Sequence, residues 1–178
     1  KDAKCVAWGE LGLDRHYSEP AFALQENLLE EHIALIESEK GDLRPIIVHC
    51  RKAVDDLLPR FHSSDLEGNR FVFHCFTEGE EEARQILDFG AMISFTGVVT
   101  YKNATEVVAV ARLVPLDRIM VETDAPYLSP EPVRKVRPNE PKHVMHTASH
   151  LASLFDLTLQ EFEHQTDQNA IKFFNLPL

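Results

Sequence analysis

No uninterrupted apolar run in this sequence approaches the roughly 18 residues of a membrane span, and no charged-then-apolar leader precedes a small-residue cleavage site. The chain therefore reads as soluble, without membrane contact and without a visible address. Basic charge is short as well: 18 Lys and Arg stand against 29 Asp and Glu, a net charge of −11. That balance excludes a surface coated for nonspecific nucleic-acid binding. It leaves a nuclease open, because metal cations supply positive charge locally. Cysteine is scarce, with Cys5, Cys50 and Cys75 only. An odd count of three in or beside strand-like runs is no disulfide framework, and a reduced, cytoplasmic setting is expected. Repeats, low-complexity tracts and domain-dividing linkers are missing too, so one domain is the simplest count. The first residue is Lys1 rather than methionine, and the sequence is expected to begin inside a longer or processed product.

What is present is an alternation of period. Short β-rich runs ("KCVAWGELGLD", "RPIIVHCR", "RFVFHCF", "AMISFTG", "RIMVETDAP") are separated by helical patterns, from about Phe22 to Lys40, in "KAVDDLLPRF", in "EEEARQILDFG" and in "NATEVVAVARLV". Five strands alternating with helices predict a parallel α/β sheet covered on both faces. A proline-rich loop follows Pro126, then helices over about Lys142–Phe155 and Leu159–Phe174. Thr158 and Glu161 are spaced for a capping box at the start of the second.

Four of the five strands finish in a carboxylate or an imidazole: Glu10, His49, His74 and Asp124. A single histidine at the end of an apolar strand reads equally as a core residue. Four such ends are different, because parallel α/β folds bring the carboxyl ends of their strands together in space. Two imidazoles and two carboxylates there suit a hydrolytic metal site. The remaining strand end, Ser94 to Gly97, carries small groups expected to admit a substrate backbone. In alternating strands Cys50 and Cys75 should point away from the site, into packing. Asp14 reads as a loop-orienting carboxylate. His143, His146 and His150 share one helix face, expected to lie outside the sheet and partly exposed. His16, His32, His62 and His164 have no supporting constellation.

The segments "GELGLD", "IIVHCR", "FHCFTEG", "ISFTGVVTYKNA", "ETDAPYLSP" and "RPNEP" resemble, in order and spacing, the TatD family of metal-dependent deoxyribonucleases of the amidohydrolase superfamily, from about Ala7 to Asn175. The resemblance implies a TIM-type (β/α)8 barrel and hydrolysis of DNA phosphodiester bonds, exonucleolytic in direction, through a metal-activated water. It implies that Glu10 bridges two divalent ions (Mg, Mn or Zn), that His49 and His74 bind one of them, and that Asp124 sits at the other and handles the proton of the water. Imidazole ligands suit zinc or manganese better than magnesium. Arg137 resembles the family's contact to the substrate phosphate. Arg51 faces the same choice as Arg134, Lys135 and Arg137, between phosphate contact and a solvated basic surface.

The chain departs from that family in one respect: no His-x-His pair occurs in it. A barrel takes about 250 residues, so these residues are expected to hold only the last five βα units, the fourth to eighth strands, of a single barrel domain whose first three strands are absent. One well-formed metal position is expected here. A missing N-terminal segment or another chain is expected to cover the open edges of the sheet. Hydrolysis of a small ester or amide, and a catalytically impaired fragment serving as a binding or structural subunit, remain as alternatives.

Overall fold

The computed structural model describes residues 4–177. Its centre is one parallel sheet in which β1 (Trp8–Asp14), β2 (Ile46–Arg51), β3 (Phe71–Phe73), β4 (Met92–Phe95) and β5 (Ile119–Val121) pair strictly in chain order. The crossovers are α1 (Phe22–Ser38), α2 (Val54–Ser63), α3 (Glu80–Phe89) and α4 (Thr105–Leu113). Each crossover moves one strand in the same direction, so the sheet has no reversal point of the doubly wound kind, and the order is that of a βα-barrel wall.

Side chains of period two divide the sheet into two faces. Ile46 and Val48, Phe71 and Phe73, Ile93 and Phe95 go into the main core beneath the crossover helices. Phe61, Phe71, Phe73 and Phe95 are fully buried there, each contributing about 1.5–3 kcal/mol of apolar transfer. On the other face lie Ile47, Val72, Met92 and Met120. Phe173 and Phe174, at the end of α6 (Leu159–Phe174), pack on this face and leave Val72, Met92 and Met120 buried. Asn169 holds α6 in place by donating to the carbonyls of Leu116 and Ile119 at 2.7 and 2.8 Å.

The helices follow their sequence signals closely. Thr158 and Glu161 form the capping box of α6, and α3 stops at Gly90, whose φ of 104° suits glycine alone. The helix expected from about Lys142 begins as a 3-10 turn at Pro141–His143 and becomes α5 at Val144–Leu154. α1 buries Leu29, Ile33 and Ile36 against the sheet yet turns Leu24, Leu28 and Leu35 outward to solvent. Among the described residues β1 and β5 each have a strand neighbour on one side only.

Candidate metal centre

At the carboxyl ends of β2 and β3 the inner face changes from apolar to polar. His49 is two residues beyond Ile47 on that face, and His74, one residue past β3, is still held by the ladder through its N–H to Val48 O at 3.0 Å. Glu10 was expected to end β1. It lies inside the strand instead, where the register slips between Trp8 and Leu11, and β1 runs on to Asp14. The close approach of β1 to β2 there requires glycine: Gly12 pairs with His49, has φ +154°, and a Cβ on it would stand 1.8 Å from His49 O.

These placements bring three ligand atoms together. Glu10 Oε1 is 3.1 Å from His49 Nδ1 and 3.4 Å from His74 Nε2, and the two ring nitrogens are 3.3 Å apart. The outward nitrogens meet carboxylates. His49 Nε2 is 3.0 Å from Asp14 Oδ2, and His74 Nδ1 lies at ion-pair distance, 3.6 Å, from Glu122 Oε2. A carboxylate behind each imidazole fixes its tautomer and turns its lone pair inward, the arrangement that surrounds metal-ligating histidines. Glu10, His49 and His74 thus fit a divalent cation, and among the described residues they alone form a group with metal-ligand spacing.

The electrostatics without an ion agree. Hydrogen bonds with His49 and then His74 hold the Glu10 carboxyl far below the ordinary range. His49 is raised, chiefly by Glu10, with burial opposing and Asp14 adding. Burial alone would lower His74, but Glu10 and Glu122 outweigh it and push it up to about 10. Asp124 is raised, first by burial, with the charges of Glu122 and Glu10 adding and that of His74 opposing.

Asp124 is not on a strand. It lies in the loop three residues past β5, on the wall of a cavity of about 670 Å³ shared with Glu10, His49, His74 and Arg51. Arg137 is exposed and is not part of that wall. The basic loop is tied down by Asn139, which is buried, donates to Tyr127 O at 2.6 Å, and faces His143 Nδ1 at 3.1 Å.

Three further expectations are corrected. His143 is buried against Asn139 rather than exposed, because the turn before α5 folds it inward. Cys75 is in the cavity wall; Cys50 borders the same cavity but is buried and packs in the core. Strand alternation ends before Cys75, whose φ is 46° and whose N–H donates to Glu122 Oε1 at 2.8 Å. Burial pushes both thiols up to about 12. The small residues after β4 admit the protein's own loop: a Cβ on Gly97 would stand 2.4 Å from Leu128 O. Asp14, read as a loop-orienting group, also backs His49.

Glu122 was missed by sequence reasoning. The signal was there, since Glu122 and Asp124 are two apart in an extended segment, and Glu122 follows Val121 on the face that carries Met120.

A profile of the family described as TatD related DNase matches residues 1–175. An "Uncharacterized metal-dependent hydrolase" of Buchnera aphidicola is 38% identical over 98% of this chain and 64% of its own length. The human "3'-5' RNA nuclease TATDN2" is 33% identical over 97% of this chain and 23% of its own. The solved structure of YJJV, a TatD homologue from Escherichia coli K12, superposes with a TM-score of 0.88 at 30% identity, covering 98% of this chain and 66% of that one. Bacterial relatives are spanned over 63–66% of their length, a little under two thirds. Together with the α/β sheet in barrel order and its histidine–carboxylate cluster, these matches establish that the chain belongs to the TatD related DNase family.

Proposed function

We propose that this chain carries most of the active site of a metal-dependent nuclease that hydrolyses DNA phosphodiester bonds from an end. The observation that carries the reading is the pair of imidazoles, each backed by a carboxylate and each turned toward Glu10 Oε1. Glu10, His49 and His74 would hold one divalent cation, and Glu10 and Asp124 would contribute to a second. Such ions, when bound, neutralise phosphoryl charge and lower the pKa of water toward about 7.

The chain's own residues do the rest. Asp14 and Glu122 keep His49 and His74 in one tautomer. Asp124, its basicity raised by burial, accepts the proton of the attacking water. Arg51, on the cavity wall, faces the scissile phosphate, and Arg137, on the exposed loop, meets a phosphate farther along the strand.

The same proposal makes residues 1–178 the last five βα units of one eight-stranded barrel. Support comes from the one-sided pairing of β1 and β5, the outward leucines of α1, and the third of the relatives' length that this chain does not span. A further segment, in the same polypeptide or another chain, would close the barrel and bring the absent His-x-His pair to Asp124. A cytoplasmic setting accords with three free thiols.

The test is hydrolysis of end-labelled DNA and RNA oligonucleotides, and of p-nitrophenyl esters, by the full-length protein with Mn²⁺ and with chelator. Stepwise shortening of DNA that stops with chelator is expected. Cleavage of esters alone would transfer the site to small-molecule hydrolysis, and metal binding without turnover would favour the binding-subunit reading that the absent His-x-His pair motivates.

A further inference from the structure

We propose that Gln25 is a positioning residue for the metal centre: its carboxamide clamps the main chain of Asp14 and so keeps the Asp14 carboxylate behind His49. This rests on the reading of Glu10, His49 and His74 as a metal site. Gln25 lies near the start of α1, half-buried, and shares a cavity wall with Glu10, Gly12 and His49.

The register of β1 explains why Asp14 needs such a partner. Asp14 pairs with Arg51, and Arg15 N–H donates to Arg51 O at 2.9 Å. In a parallel ladder one residue of each pair turns both its N–H and its C=O toward the partner strand. Here that residue is Arg51, so Asp14 turns both of its own main-chain groups away from β2. On that side β1 has no strand neighbour among the described residues. Gln25 fills the place. Its Oε1 accepts from Asp14 N–H at 2.8 Å, and its Nε2 donates to Asp14 O at 3.1 Å. One side chain thus supplies the acceptor and the donor that a further strand would offer. Nε2 also donates to Pro20 O at 2.9 Å, which ties the loop after β1 to the same amide.

The effect reaches the imidazole through a single carboxylate. Asp14 Oδ1 accepts from His16 N–H at 2.7 Å, and Oδ2 is 3.0 Å from His49 Nε2. Asp14 is therefore held at both ends, at its main chain by Gln25 and at its oxygens by His16 and His49. The partner behind a ligating histidine sets the orientation and basicity of the ring, and its loss costs about 10- to 100-fold in metal affinity. A glutamine that only steadied α1 would affect metal binding equally with and without the Asp14 carboxylate. One that acts through Asp14 would not.

The experiment is a double-mutant cycle, Gln25→Met with Asp14→Ala, read as Co²⁺ affinity of the full-length protein. Gln25→Met should weaken binding about tenfold and alter the Co²⁺ absorption bands. The same substitution should cost less than about twofold once Asp14 is alanine. In the metal-free protein near neutral pH, the proton between His49 Nε2 and Asp14 should give an exchange-protected downfield resonance. It should be absent from Asp14→Ala and lost or broadened in Gln25→Met. Gln25→Glu keeps the acceptor for Asp14 N–H but loses both donors, and it repeats every comparison should Gln25→Met not fold. Equal losses in the two Asp14 backgrounds, parent affinity without Gln25, or an unchanged downfield resonance would overturn the role. A resonance that depends on Gln25 in a parent that binds no Co²⁺ would count against the metal reading and leave the clamp standing.

Discussion

Metal should bind to Glu10, His49 and His74 more tightly as pH rises, because the site must give up protons to accept a cation. His74 lies between Glu10 Oε1 at 3.4 Å and Glu122 Oε2 at 3.6 Å, with its side chain only 10% exposed. These carboxylates raise its pKa, against the effect of burial, to about 10. At pH 7 the neutral ring that a metal needs is then about one part in a thousand, a competition of about 4 kcal/mol. Solvent at the half-exposed Glu10 screens part of this and reduces the handicap. The slope is less sensitive: one displaced proton gives about a tenfold gain in apparent affinity per pH unit between pH 7 and 9. His49, also raised, chiefly by Glu10, must likewise give up its proton to bind the ion. Calorimetric titration of Mn²⁺ or Zn²⁺ in buffers of different ionisation heat would count the protons released. The metal-free protein should show the opposite trend. A raised histidine stabilises the fold fully below its unfolded pKa near 6.5, and that stability is lost as pH climbs through about 10. Affinity that stays flat from pH 7 to 9, with no proton release, would refute this account of the site.

Three more outcomes follow from the geometry. His74→Ala should cut metal content, measured by plasma mass spectrometry, while the far-ultraviolet circular dichroism is unchanged; metal bound at parent affinity would remove His74 from the ligand set. Asp124→Asn should retain metal but lose turnover by about 10²- to 10⁴-fold, and near-full activity would end its role as proton acceptor. Gly12→Ala should destabilise the fold by more than about 3 kcal/mol in urea unfolding, since the added Cβ meets His49 O at 1.8 Å; a smaller loss would mean that β1 and β2 can part at no cost to the site.

Much of this was legible in the chain. The alternation from β1 to β5 depends on local period, which is why α6 runs over the expected residues and carries the expected capping box. The ligand types were legible for a related reason: an imidazole two residues beyond Ile47 on an apolar strand must share its face. Strand ends were less so. Where a ladder stops depends on hydrogen bonds to a neighbouring strand that no local pattern records, and this put Glu10 within β1 and Asp124 beyond β5.

By itself, then, the sequence determined the order of the elements, the faces of the strands and the residue types at their carboxyl ends, because each follows from spacing along one chain. Only the tertiary structure decided which groups meet. The backing of His74 by Glu122, the burial of His143 on Asn139, the filling of the space at Gly97 by Leu128 and the covering of Met120 by α6 all join segments distant in sequence. Their positions depend on how five strands pair and curve, a property of the whole sheet rather than of any stretch within it.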